Sequence, residues 1–361
     1  MMLPRVFAHG LRRLGPRKRP LNPARILIAH HLLFGDMLCL TPLISKCRER
    51  YPEAEICLTV PGILAPIYAG RPFGVTVISF DPQDANSLSA ALGHQGFDLA
   101  LVPGENRFAW LARAMNAAWI VGFDGDRPGY KNWLLDERIP FPKWPWNWAD
   151  AAALLVPGPA PEPYDPRAWP DPPYEPFDQP AGGYCVLHIG ARNPLRDWLP
   201  ERWREFSRWL EGRGLEPVWS AGAGEEAMVQ AVDPAGAGRS YAGRLTLAQL
   251  WRLLKGARLL VCPDTGVAHL GRVVGVPTVA LFGPGSVTLS GAGAYWRNSP
   301  YRAVTIEEVA CRNQNLIFKR DIPGMLRCVR FAPECTRNIC MQGIAMESVA
   351  GAARELLESS G

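Results

Sequence analysis

Short apolar runs of four to six residues punctuate the chain, each closed off by Gly, Pro or polar residues, and most of the stretches between them are long enough for a helix. Runs this apolar fit parallel strands buried on both faces, and their alternation with helical segments predicts an α/β protein with doubly wound parallel sheets. In the first half the predicted strands are residues 25–30 (RILIAH), 55–60, 75–80, 97–102 and 118–122; in the second they are 184–189, 215–220, 259–262 and 278–282. The first strand leads through the loop HLLFGD into a helix reaching about Arg50. Thr41-Pro42 reads as its N-cap and first-turn pair, which leaves Asp36 on the turn before it, at the carboxyl edge of the sheet. Further helices are expected from Pro200, over 248–256, from the 264–266 turn to near Gly275, and over 346–357. Residues 157–180 carry too many prolines for a helix or a central strand, so they predict an extended connection between two domains. The expected division is an N-terminal arm 1–24, a first domain 25–156, the linker 157–180, a second domain 181–345 and a C-terminal helix 346–361.

The chemistry concentrates in residues 258–286, RLLVCPDTGVAHLGRVVGVPTVALFGPGS. Pro263 closes the strand, either Asp264 or Thr265 caps the helix that follows, and Gly266 lets the backbone approach whatever lies above the helix start. Free N–H groups and the positive end of the helix dipole make this an anion site, with His269 one turn further on as a side-chain donor. The loop Gly283-Pro284-Gly285-Ser286 arrives at the same edge. Taken singly, Asp264 also reads as a plain helix cap and His269 as a satisfied core histidine; the combination is what points to a ligand. Arg192 and Arg196 fall in the loop after the 184–189 strand, placed either to fork onto diphosphate oxygens or to lie solvated. The turn Ala221-Gly222-Ala223-Gly224-Glu225 ends in a carboxylate suited to the two hydroxyls of a ribose, though it lacks the G-x-G-x-x-G spacing. Asp36 is placed to serve either as a general base or as a helix cap.

Charge changes the picture at one end. The net charge is +5, yet residues 1–25 hold Arg5, Arg12, Arg13, Arg17, Lys18, Arg19 and Arg25 with no acid, leaving 5 − 7 = −2 for the rest. Such an arm suits either an anionic membrane surface, at roughly 1 kcal/mol per basic side chain near lipid, or a solvated tail. Nucleic acid is disfavoured because no basic stripe continues the contact. The chain is 48% hydrophobic and 20% charged, with no apolar run of membrane-spanning length and no secretory leader, which predicts a cytoplasmic protein. Nine scattered cysteines fit a reducing compartment. Four of them, Cys311, Cys328, Cys335 and Cys340, offer either a structural zinc or iron site or buried and redox-labile thiols. Trp133, Trp144, Trp146 and Trp148 suit acceptor stacking, a membrane interface or packing under a loop.

The run DTGVAHLGRVVGVPTVALFGP resembles the signature of glycosyltransferase family 9, the heptosyltransferases of bacterial lipopolysaccharide assembly. The opening RILIAHHLLFGDMLCLTPLISKCRERYPEAEICLTV is similar to the start of the same family. The resemblance implies the B-type glycosyltransferase architecture, two Rossmann-like domains facing a cleft, with the C-terminal helix packed at their junction. It implies an inverting transferase moving heptose from ADP-heptose to a lipopolysaccharide core or related glycan acceptor, with no cofactor required for catalysis. Asp36 is then the base, Asp264, Thr265, Gly266 and His269 hold the donor diphosphate, and Arg196 matches the basic residue two before a Trp. Glu225 becomes the ribose candidate in the Gly222 turn, with Glu226 as the alternative register, and Leu245 and Leu247 would flank the base. Peripheral attachment to the inner membrane through residues 1–25 goes with a glycolipid acceptor. A different donor sugar, a protein acceptor, an epimerase of related architecture, or a noncatalytic nucleotide-sugar-binding or redox-sensing module are the other readings, because residues after 285 depart from the family pattern.

Overall fold

The computed structural model describes Met2, Arg5, Val6 and residues 18–335 and 337–359. Its contacts separate two compact units: Met1–Pro163 with Arg167–Pro170 and Leu316–Gly324, and Tyr164–Pro166 with Asp171–Asn315 and Met325–Gly361.

The first unit holds β1 (Arg25–Ile28), β2 (Glu55–Val60), β3 (Thr76–Ser79), β4 (Leu99–Val102), β5 (Trp119–Phe123) and β6 (Glu137–Ile139). They pair in parallel in the order β3-β2-β1-β4-β5-β6. The order reverses at β1, whose neighbours are β2 and β4, so the loop leaving β1 opens at the position where sheets of this kind take ligands. β1, β2 and β4 are almost wholly buried, as their apolar runs require. Strand β6 escaped the sequence pattern because Glu137-Arg138-Ile139 is short, mostly polar and at the sheet edge. The helix Thr41–Arg50 also begins differently from expectation: its cap residue is Leu40, and the Thr41 hydroxyl turns back to donate to the Leu38 carbonyl at 2.6 Å.

The second unit repeats this topology with β7 (Tyr184–His188), β8 (Glu216–Ser220), β9 (Arg239–Ser240), β10 (Leu259–Pro263), β11 (Thr278–Phe282) and β12 (Tyr301–Thr305), ordered β12-β11-β10-β7-β8-β9 and all parallel. The core on one face joins Leu187 and Val261 to Trp203, Phe206 and Leu210 of the helix Pro200–Glu211. The last helix, Met346–Ser359, packs on β10, β11, β12 and that helix, burying Val349, Ala350, Ala353 and Leu356 within the second unit.

The Pro-rich segment is fastened rather than free. Trp169 donates to the Ile67 carbonyl at 3.0 Å and packs on Tyr68 in the first unit. In the second, Tyr164 donates to the Val273 carbonyl at 2.8 Å, and Asp171 accepts from Trp251 at 3.0 Å and Lys255 at 2.5 Å. The basic N-terminal residues are likewise partly committed. Val6 is buried in the first unit's core, Arg5 donates to the Leu92 carbonyl, Arg19 pairs with Glu137 at 2.6 Å and Arg25 with Glu55 at 2.7 Å. Arg12, Arg13 and Arg17 lie outside the described residues. Among the described residues no helix is long and apolar enough to cross a membrane.

Close approach of the helix Gly266–Val274 to its sheet depends on Gly271, where a Cβ would meet Thr278 Oγ1 at 2.5 Å and a Leu260 methyl at 2.8 Å. Replacing Gly271 by Ala is expected to destabilise the second unit by about 1–2 kcal/mol net of the better helix propensity. Urea denaturation checks this, and an unchanged midpoint would mean the helix is free to shift.

Candidate functional site

The site in the second unit is built where β10 stops. Thr265 follows in extended backbone as the cap residue of the helix Gly266–Val274, but its hydroxyl makes no capping bond and lies buried without a hydrogen-bond partner. The expected side-chain cap is therefore absent here, which leaves the N–H groups of the first turn and the Thr265 hydroxyl as donors. Asp264 is buried, and its N–H donates to the Leu281 carbonyl at 2.9 Å. A side chain at position 285 would collide with its carboxylate, so Gly285 makes room for it. Burial raises the Asp264 pKa, while the charges of Arg196, Arg272 and Arg327 oppose that rise.

Two arginines converge on this turn. The Arg196 guanidinium donates to the Asp264 carbonyl, and its Nε is buried without a partner. Arg272 is 2% exposed; it donates to the Gly291 and Ser290 carbonyls and to Nδ1 of His269, and lies 5.0 Å from the Tyr301 ring centre. A guanidinium only donates, so His269 Nδ1 must accept, which puts the ring proton of a neutral His269 on Nε2. Burial first, then the Arg272 and Arg196 charges, hold the His269 pKa well below its ordinary value, so the ring stays neutral. The result is a set of donors with excess positive charge around a helix start.

A second cluster adjoins it along the loop leaving β7. Glu225 caps the helix Glu226–Val232 in position, while its Oε2 accepts from the Gly222 N–H at 2.8 Å. Gly190 must lack a side chain because Glu225 lies against it. Glu226 is exposed and accepts from the Gly224 N–H at 3.1 Å, so Glu225 is the one turned toward the β7 loop. Arg192 is exposed on that loop and Leu245 is half-buried beside the Thr246–Gln249 capping box; among the described residues no hydrogen bond or ion pair joins either to these clusters. Asp197 was missed by the sequence reading, which treated it as the spacer between Arg196 and Trp198. Its Oδ1 is buried without a partner, and burial, then the Glu225 charge, pushes its pKa up to about 7. Arg272 was missed as well, since an arginine in the last turn of a helix ordinarily reads as solvated.

In the first unit Asp36 is half-buried and precedes the helix Thr41–Arg50 as expected, in the first turn of a separate short helix, Phe34–Leu38. The β1 loop ahead of it is pinned: the His30 N–H donates to Thr59 Oγ1 at 2.8 Å, and the Leu32 N–H to His30 Nδ1 at 3.2 Å. Burial, then His31, lowers the His30 pKa to about 3, so this loop carries no charge on His30. Of the tryptophans, Trp146 and Trp148 are packed together inside the first unit, whereas Trp133 and Trp144 are exposed.

The cysteine quartet comes together around Arg312 and Cys340, whose charges and thiols act on one another. Among the described residues no group of three or more His, Cys, Asp or Glu is arranged to hold an ion. Cys340 is buried in the helix Ile339–Gln342 and its thiol pKa is raised, chiefly by burial; Cys311, Cys328 and Cys335 are half-buried.

Two parallel six-stranded sheets of the same winding give the fold of a glycosyltransferase of B-type architecture. The sequence model of glycosyltransferase family 9 (heptosyltransferase) matches residues 85–318, and the chain belongs to this family of enzymes. It is 25% identical over 300 residues to lipopolysaccharide heptosyltransferase 1 of Pseudomonas aeruginosa, covering 74% of this chain and 81% of that one. In fold it is similar to a family 9 glycosyltransferase of Veillonella parvula, with a TM-score of 0.71 at 18% identity over 94% of this chain and 98% of that one. It is also similar to ADP-heptose lipopolysaccharide heptosyltransferase II of Escherichia coli, with a TM-score of 0.67 at 19% identity over 93% and 99%.

The raised pKa of Asp197 sets a stability signature. Between about pH 4, the ordinary carboxylate range, and about 7, the folded chain holds this proton more tightly than the unfolded one, so stability falls as pH rises through that window. An Asp197→Asn variant should lack this component, gaining Tm relative to the parent from pH 4 to 7 and holding a constant difference above. Parallel Tm profiles across the window would contradict the assignment.

Proposed function

We propose that the chain transfers heptose from ADP-heptose to a lipopolysaccharide core acceptor in a single inverting displacement. The observation that carries this reading is the Thr265–Gly266 helix start, where the Thr265 hydroxyl is buried without a partner and Arg196 donates to the adjoining Asp264 carbonyl, with a neutral His269 one turn on held by Arg272. Such a set suits a diphosphate, whose developing charge is largest as it leaves. The names of the P. aeruginosa and E. coli relatives supply the sugar and the acceptor class. The first unit is taken to hold the acceptor and the second the nucleotide sugar.

In this mechanism the Asp36 carboxylate accepts the proton of the acceptor hydroxyl. The oxygen then attacks the anomeric carbon from the face opposite the diphosphate, and the carbon–oxygen bond to ADP breaks. The first-turn N–H groups, Thr265, Arg196 and His269 Nε2–H hold the leaving charge, so no metal ion is required. Glu225 takes the ribose hydroxyls, fixed in orientation by Gly222, while Arg192 and Leu245 contact the outer phosphate and the base. The basic residues of the N-terminus that are not committed to ion pairs meet the anionic inner-membrane surface where a glycolipid acceptor resides.

The test is acceptor-dependent release of ADP from ADP-heptose in the presence of a heptose-free core glycolipid. Asp36→Asn should lower kcat by about 10²–10⁴-fold while leaving the Kd for ADP-heptose unchanged, because an amide cannot accept the proton. Release of ADP without acceptor, turnover with another nucleotide sugar only, or full activity in Asp36→Asn would overturn the reading.

A further inference from the structure

A hairpin from late in the sequence belongs to the first unit. Its strands β13 (Leu316–Ile317) and β14 (Arg320–Asp321) pair antiparallel, with Leu316 opposite Asp321 and Ile317 opposite Arg320. The two-residue turn between them, Phe318-Lys319, has φ of +47° and +61°. Tight hairpins of this kind favour Asn-Gly, because other side chains resist the left-handed region, and residues held there against preference need strong anchoring around them.

The anchors are present on both sides of the turn. The Phe318 ring packs 4.6 Å from that of Trp148 and, together with a Leu32 methyl, fills the space over Gly104, 3.5 and 3.3 Å from where a Cβ would stand. Arg320 is 5% exposed. Its Nε donates to the Asp124 carbonyl at 2.7 Å, Nη2 to the Phe123 carbonyl at 2.9 Å, and Nη1 to the Gly104 carbonyl at 3.4 Å and the Phe318 carbonyl at 3.3 Å. Its guanidinium also lies 4.7 Å from the Phe141 ring centre. One cation thus ties together the backbone leaving β4 and the backbone leaving β5. Phe318 and Leu32 both stand over Gly104, and Leu32 belongs to the loop that leads to Asp36. Next to these ties, Asp126 accepts from the Asn106 N–H at 2.8 Å, Asn106 Nδ2 donates to the same Phe123 carbonyl at 2.6 Å and Lys131 reaches Glu105 at 2.9 Å, so the loops after β4 and β5 share one polar network.

We propose that Arg320, with Phe318, is a positioning residue for the acceptor: the hairpin fixes the loops after β1, β4 and β5 into the surface that receives the acceptor sugar. The inference rests on the reading that the first unit binds the acceptor. A guanidinium serves where an ammonium would not, since four main-chain carbonyls from three segments need donors in one plane.

The experiment compares Arg320→Gln, Arg320→Lys and Phe318→Ala with the parent chain in acceptor-varied kinetics at saturating donor, donor titration, and amide hydrogen exchange. Arg320→Gln should raise the acceptor KM about tenfold or more with donor Kd unchanged, Arg320→Lys should recover only part of this, and Phe318→Ala should raise KM several-fold. Exchange should quicken at residues 104–108 and 124–128 in the Arg320 variants whether or not a turnover assay succeeds, so a wrong acceptor leaves the positioning claim decidable. If Arg320→Gln fails to fold, Phe318→Ala decides. Unchanged acceptor KM in folded variants, or unchanged exchange in those two segments, would overturn the proposal, and an equal loss of donor affinity would make the hairpin a general structural element.

Discussion

The second unit depends on two partly compensated cations near the buried Asp264, Arg196 at the start of the helix Gly266–Val274 and Arg272 in its last turn. Arg272 is almost wholly buried, Arg196 has a buried Nε without a partner, and among the described residues neither forms an ion pair. Taking such charge out of water is costly unless an opposite charge or several acceptors compensate. Arg272 finds carbonyls, the His269 nitrogen and two aromatic faces; Arg196 finds one carbonyl. The remaining positive potential adds to that of the helix dipole, so a diphosphate would complete the compensation. Asp264 is the acid buried at this turn, and Gly285 and Gly271 exist to let it and the helix come close.

The two units share a strand order, so each places its first loop at a reversal point of the sheet. In the first unit that loop leads to Asp36, while in the second it carries Gly190 and Arg196. One topology therefore presents a carboxylate in one case and a cation in the other, and the chemistry follows from side chains rather than from fold. The Pro-rich segment suits this arrangement because Trp169 and Tyr164 fasten it to separate units without demanding helix or strand.

Much of this was legible in the chain. The strands β1, β2, β4, β7, β10 and β11 announce themselves because burial on both faces demands continuous apolar runs. Edge strands carry no such demand, so β6, β9 and β12, with Arg138, Arg239 and Arg302 in them, were invisible. The helix start after D-T-G was readable, but its caps were not: Thr265 and Thr41 both sit at helix starts and neither caps, because tertiary geometry decides where a hydroxyl points. Asp197, Arg272 and Arg320 could not be recognised, since their significance comes from neighbours distant in sequence. The four cysteines are a suggestive composition, yet among the described residues no group of three or more possible ligands is arranged to hold an ion.

The central claim is that the helix start at Thr265 is built for phosphate, and its buried, partnerless hydroxyl allows a near-isosteric test. Calorimetric titration with ADP of the parent and of Thr265→Val is the most direct measurement. The account predicts that losing the hydroxyl weakens ADP about tenfold, as for a hydrogen bond to a charged group, while the unliganded variant is at least as stable as the parent because an unsatisfied buried hydroxyl has gone. An ADP affinity unchanged by Thr265→Val would show that the hydroxyl faces no phosphate and would contradict the account.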